Sequence, residues 1–69
     1  MKVYVVTIAK PLEPEMYETV KGSAKAAEKY IRSRFPNTRK EESFGGRTSY
    51  FCKDKAGAYI MFIREEVVE

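Results

Sequence analysis

Only one stretch of this chain, Ser23 to Phe35, carries the spacing of a helix, and strand-like runs stand on both sides of it. Ala24, Ala27, Ile31 and Phe35 follow at three- and four-residue steps and make one apolar stripe, with Tyr30 beside it. Ser23 is placed to cap the first turn, because its hydroxyl accepts from a free backbone N–H there. Glu28 and Arg32 stand four apart in the favourable order, and Arg32 and Arg34 complement the C-terminal end of the helix dipole. Pro36 stops the helix and Asn37 supports the turn that follows. A single helix covers one face of a sheet, so a second apolar face is left for a loop, a twin subunit or a partner.

The strand-like runs set the rest of the architecture. Lys2–Ala9 is rich in β-branched and aromatic residues with apolar side chains at both parities, the pattern of a central strand or one covered on both faces; Pro11 and Pro14 end it. Met16–Lys21 alternates and reads as a short strand returning beside the first, or as loop. Thr38–Phe44 is polar and reads as an edge strand or an extended arm. Gly45-Gly46 is a hairpin signal, since both positions take positive φ. Arg47–Lys53, a turn at Asp54–Gly57 and a strong strand from Ala58 to Glu66 complete the order.

The expected fold is therefore α+β: one antiparallel-rich sheet of four to five strands with one helix packed on one face. The order is ββαβββ, or βαβββ if residues 16–21 are loop. With 69 residues the chain is expected to be a single domain, residues 1–69. Folding at this size buries only about 60% of the surface of the unfolded chain, which keeps a homodimer open. The face chosen by the helix also stays open. If it packs on the Ile60/Phe62 parity, then Tyr59, Met61 and Ile63 face outward with Tyr4, Val6 and Ile8; the parity can equally be reversed.

Several chemistries are excluded. The chain has no histidine, so it lacks the side chain that moves protons most easily near neutral pH and the commonest metal ligand. Its one cysteine, Cys52, cannot form an internal disulfide and is too little for a zinc site; in a hydrophobic strand it reads as a buried small residue. Glu13, Glu15 and Glu18, then Glu41-Glu42, then Glu65-Glu66, read as solvated surface, and the only aspartate, Asp54, belongs to a turn. No catalytic residue, metal or cofactor is expected. The apolar runs are too short to span a bilayer, and without a signal peptide the expected setting is the reducing cytoplasm.

Charge is unevenly spread. The net charge is +3, but the stretch from Lys21 to Lys55 is strongly basic and the flanking stretches are acidic. Lys25, Lys29 and Arg32 fall at i, i+4 and i+7 and form one ridge away from the apolar stripe, which Arg39, Lys40 and Arg47 extend through the following arm and hairpin. Such a ridge suits a phosphate backbone or an acidic protein groove, and it also suits an ordinary solvated helix face.

Two resemblances bear on function. Val3–Ile8 resembles the first-strand motif of RRM domains, and Lys55, Ala58, Tyr59, Ile60 and Phe62 resemble their third-strand motif. The resemblance implies base stacking by Tyr4 and Tyr59 on an open sheet. Gly57 stands where that family has an aromatic and Ala56 replaces its second glycine, which favours plain hydrophobic central strands that contain tyrosine. Over most of its length the chain resembles small proteins of bacteriophages and Firmicutes. These open on a strand like Met1-Lys2-Val3-Tyr4-Val5-Val6, pass through Ser into a Lys/Glu/Ala helix ending near Tyr30-Ile31, and close on a strand with an acidic end, as in Tyr59–Val67. That resemblance implies a mobile-element origin and a small non-catalytic inhibitor, anti-CRISPR-like, that blocks a host factor.

The expectation is a non-enzymatic interaction module that occludes a host protein with an acidic or nucleic-acid-binding surface, working through the basic ridge or the sheet face the helix leaves open, with the ridge the better supported of the two. The alternative is direct binding of DNA or RNA through Lys25, Lys29, Arg32, Arg39, Lys40 and Arg47, with Tyr4 and Tyr59 stacking.

Overall fold

The computed structural model describes residues 1–54 and 57–68. Its elements are β1 (Lys2–Ala9), β2 (Met16–Lys21), α1 (Ala24–Arg34), β3 (Arg39–Phe44), β4 (Arg47–Asp54) and β5 (Gly57–Val67). The five strands form one sheet in the order β2-β1-β5-β4-β3, and every neighbouring pair is antiparallel. The fold is thus α+β in the order ββαβββ, and residues 16–21 are a strand. The two most apolar runs, β1 and β5, occupy the interior of the sheet, where each is hydrogen-bonded on both edges. Polar β3 takes one edge, as its composition requires.

Short-range chemistry accounts for the joints. The Ser23 hydroxyl accepts from the Ala26 N–H at 3.1 Å, which satisfies one of the free donors of the first helical turn. At the other end Phe35 N–H donates to the Ile31 carbonyl at 2.8 Å, and Thr38 N–H donates to the Phe35 carbonyl at 3.0 Å. Pro36 follows and has no N–H with which to continue the ladder. Gly45 (φ 59°) and Gly46 (φ 76°) both sit in the left-handed region that a tight β3–β4 hairpin demands. The other turn, expected at Asp54–Gly57, runs through Lys55 and Ala56, which lie outside the described residues; the register Lys53↔Ala58 and Asp54↔Gly57 brackets it.

The helix lies over β1, β2 and β5. Between it and the sheet, Val6, Ile8, Tyr50, Cys52, Met61 and Ile63 of the strands and Ala27 and Ile31 of the helix form the buried core, with Tyr4, Tyr30, Phe35 and Tyr59 packed against it. Ile31 and Met61 are fully buried, and each such side chain stabilises the fold by about 1.5–3 kcal/mol. The parity left open by the sequence is therefore decided: Tyr59, Met61 and Ile63 face the helix, and Ile60 and Phe62 face away. Cross-strand register carries this choice through the sheet, since Val6 pairs with Ile63 and Tyr50 with Met61.

Candidate functional site

The face opposite α1 has no covering element among the described residues. Alternation and register place Tyr17 and Val20 of β2, Val5 and Thr7 of β1, Ile60 and Phe62 of β5, and Phe51 of β4 on it. Tyr17 is 65% exposed and Ile60 42%, whereas Val5, Phe51 and Phe62 are half-buried. Thr7 is buried in the middle of the row Tyr17–Thr7–Phe62. The result is an apolar strip across the central strands with a wet margin.

Arginines partly roof that strip. The Arg47 guanidinium carbon stands 3.8 Å from the Phe62 ring centre and that of Arg39 stands 6.0 Å from the Phe51 ring centre. Each is also held by a carboxylate: Arg47 donates to Glu15 at 2.7 Å and Arg39 to Glu41 at 3.0 Å. Arg47 and Arg64 are direct cross-strand neighbours on this face, an opposition of like charges that costs about 0.2–1 kcal/mol when unrelieved. It is relieved here, because Glu15 takes Arg47 and Glu66 takes Arg64 at 2.9 Å. The face is apolar at its centre and charge-compensated at its margin.

The basic ridge expected from the sequence divides. Lys25 and Lys29 are exposed on the outer side of the helix. Arg32 lies beside them but is engaged, donating to Glu28 (3.1 Å) and to the Thr38 carbonyl (3.3 Å). Lys40 shares the helix side of the sheet through its pairing with Tyr50, whereas Arg39 and Arg47 point to the opposite face. The extension fails because consecutive strand residues alternate across the sheet, so a run such as Arg39-Lys40 cannot prolong one helix face. Tyr4 and Tyr59 are likewise not on the open face. Tyr4 donates to Glu65 at 3.5 Å and Tyr59 packs against Phe35 with ring centres 6.0 Å apart, both on the helix side. Among the residues whose side chains are described, the aromatics on the open face are Tyr17, Phe51 and Phe62.

A β-bulge shapes the seam between α1 and β2. Val6 pairs with Thr19 and Thr7 with Tyr17, which leaves Glu18 as the extra residue. Its carboxylate accepts from the Tyr30 hydroxyl at 3.3 Å, and burial, reinforced by Glu18, pushes the Tyr30 hydroxyl pKa above its usual value. Among the described residues no three of Asp, Glu and Cys gather as a metal-ligand set, and no helix is long and apolar enough to cross a membrane. Compared with known proteins, the chain matches no protein-family model, no curated sequence and no solved structure.

Proposed function

We propose that this chain is a non-catalytic interaction module whose docking surface is the sheet face opposite the helix. The observation that carries the reading is the composition of that face: an apolar strip from Tyr17 to Phe51, bordered by arginines that are already neutralised by glutamates. A phosphate backbone is drawn to uncompensated cations, which this face offers sparingly. A protein surface of mixed charge with an apolar centre fits it better, and exposed Tyr and Arg are the residue types that most often dominate such contacts. The mechanism is occlusion: the strip settles on the working surface of its target and excludes that surface from use. The resemblance to small phage proteins supplies the kind of target, a host protein that handles nucleic acid in the cytoplasm.

Capture from a bacterial lysate by immobilised chain tests this when surface variants are compared side by side. Ile60→Lys places a charge in the strip without touching the buried core, and Lys25→Glu/Lys29→Glu reverses the helix ridge. The reading predicts that the wild-type chain and the ridge variant capture the same partner and that Ile60→Lys loses it. An empty capture by the wild-type chain, or unchanged capture by Ile60→Lys, contradicts it. Self-capture, seen as a second copy of the chain, assigns the face to a homodimer and overturns the host-target reading.

A further inference from the structure

Part of the positive charge left free of carboxylates lies on the other side of the molecule, along the seam between α1 and β2; Lys25, Lys40 and Lys53, which also take part in no ion pair among the described residues, do not line it. Two clefts open there, on either side of the Tyr30–Glu18 hydrogen bond. One, of about 270 Å³, is lined by Ile8, Lys10, Glu18, Arg34, Phe35 and Tyr59. The other, of about 310 Å³, is lined by Lys21, Ala26, Lys29, Tyr30 and Ser33. Among the described residues Lys10, Lys21, Lys29 and Arg34 take part in no ion pair, whereas Lys2, Arg32, Arg39, Arg47 and Arg64 each have a glutamate partner. The one carboxylate lining the clefts, Glu18, is already engaged with Tyr30.

Three of the free cations rest on aromatic rings instead. The Lys21 ammonium is 5.2 Å from the Tyr30 ring centre, the Lys10 ammonium 6.0 Å from that of Tyr59, and the Arg34 guanidinium carbon 5.9 Å from that of Phe35. A flexible cation parked on a ring has an obvious alternative when a phosphate arrives: it swings to the phosphate and leaves the ring face for a base. Phosphates spaced along a strand with unpaired bases between them are the chemistry of single-stranded nucleic acid. A duplex keeps its bases stacked inside and cannot present them to these rings. We propose that the α1–β2 seam is a binding groove for single-stranded nucleic acid, with Lys10, Lys21, Lys29 and Arg34 on phosphates and Tyr30, Phe35 and Tyr59 under bases. This site does not depend on what docks on the opposite sheet face.

The test is a titration of the ¹⁵N-labelled chain with oligothymidylate of about 12 nucleotides, within the usual span of single-strand sites. The largest amide shifts are expected at Lys10, Lys21, Tyr30, Arg34 and Tyr59. Single-strand contacts give a salt slope of about 0.7 per phosphate, so three or four of them predict a log–log slope of about 2–3. Lys21→Gln/Arg34→Gln is expected to weaken binding at least about fivefold at low salt. Lys53→Gln, which removes a cation from the other side of the sheet, is expected to change it less than about twofold. Absence of binding at low salt overturns the proposal. So do shifts confined to Phe51, Ile60 and Phe62, an equal loss in Lys53→Gln, or equally tight binding of polyglutamate of matched charge, which would assign the groove to acidic protein.

Discussion

Arg47 sets its guanidinium carbon 3.8 Å from the centre of the Phe62 ring, on the sheet face that the helix leaves bare. Glu15, which precedes β2, holds the same guanidinium at 2.7 Å. One residue thereby shields an aromatic side chain, joins the margin of β4 to the β1–β2 connection, and keeps its charge compensated. A small sheet with a single helix must do something with its second apolar face, and this pair does part of it while leaving Ile60 and Tyr17 in water.

Replacing that arginine separates the effects. Arg47→Ala removes the ring contact, about 0.5–1 kcal/mol at an exposed site, and the Glu15 pair, about 0.2–1 kcal/mol. The opposition to Arg64 is already relieved by Glu15 and Glu66, so its removal returns little. A net loss of about 0.7–2 kcal/mol is expected in urea denaturation. Analytical ultracentrifugation should show more self-association than in the wild-type chain, because Phe62 is then uncovered.

Core truncation acts on a larger scale. Ile31 is fully buried between the helix and the sheet, so Ile31→Ala is expected to cost about 2–5 kcal/mol. A domain of this length has only about 3–10 kcal/mol in hand. Thermal denaturation followed by circular dichroism should show a fall in Tm of roughly ten degrees or more, at about 4–8 °C for each kcal/mol lost. Ser23→Ala, which removes the cap, should cost about 1 kcal/mol and leave the chain folded.

Lys25 stands in the first turn of α1, where no acidic residue is present. A positive charge there opposes the helix dipole, and Lys25→Glu both reverses this and creates an i,i+4 pair with Lys29. A gain of about 0.5–1 kcal/mol and a rise of several degrees in Tm are expected. A drop in Tm would show that Lys25 makes a favourable contact in the wild-type chain.

Alkaline pH should weaken the fold. Burial, with Glu28 adding to it, raises the Tyr50 hydroxyl above its usual pKa, and burial with Glu18 does the same for Tyr30. In the unfolded chain both phenols ionise near 10, earlier than in the fold, so the folded state retains protons that the unfolded state has lost. Stability from this source is intact below about pH 10 and falls as pH rises through the folded values. Urea midpoints measured from pH 9 upward should decline, and Tyr50→Phe should make the decline shallower.

Much of the fold can be read along the chain, because it rests on local chemistry: the Ser23 cap, the Ala27–Ile31 stripe, the paired glycines at 45 and 46. The parity of the sheet is less accessible, because β1 and β5 are apolar on both sides and cannot choose alone. β4 holds the missing signal. Its polar residues Arg47, Ser49 and Lys53 share one face, and the register of the β4–β5 hairpin puts Ile60 and Phe62 on that face with them. The ridge from Lys25 to Arg47 failed as a continuous surface for the same reason, since the strand residues that extend it alternate across the sheet. The α1–β2 clefts depend on a bulge at Glu18 and on which lysines lack partners, and neither follows from spacing.

The central claim is that the uncovered sheet face does the docking. Adding the captured partner to the ¹⁵N-labelled chain and recording amide shifts tests it directly. The account predicts the largest changes at Thr7, Phe51, Ile60 and Phe62; changes centred on Lys25 and Lys29, with the uncovered face silent, contradict it.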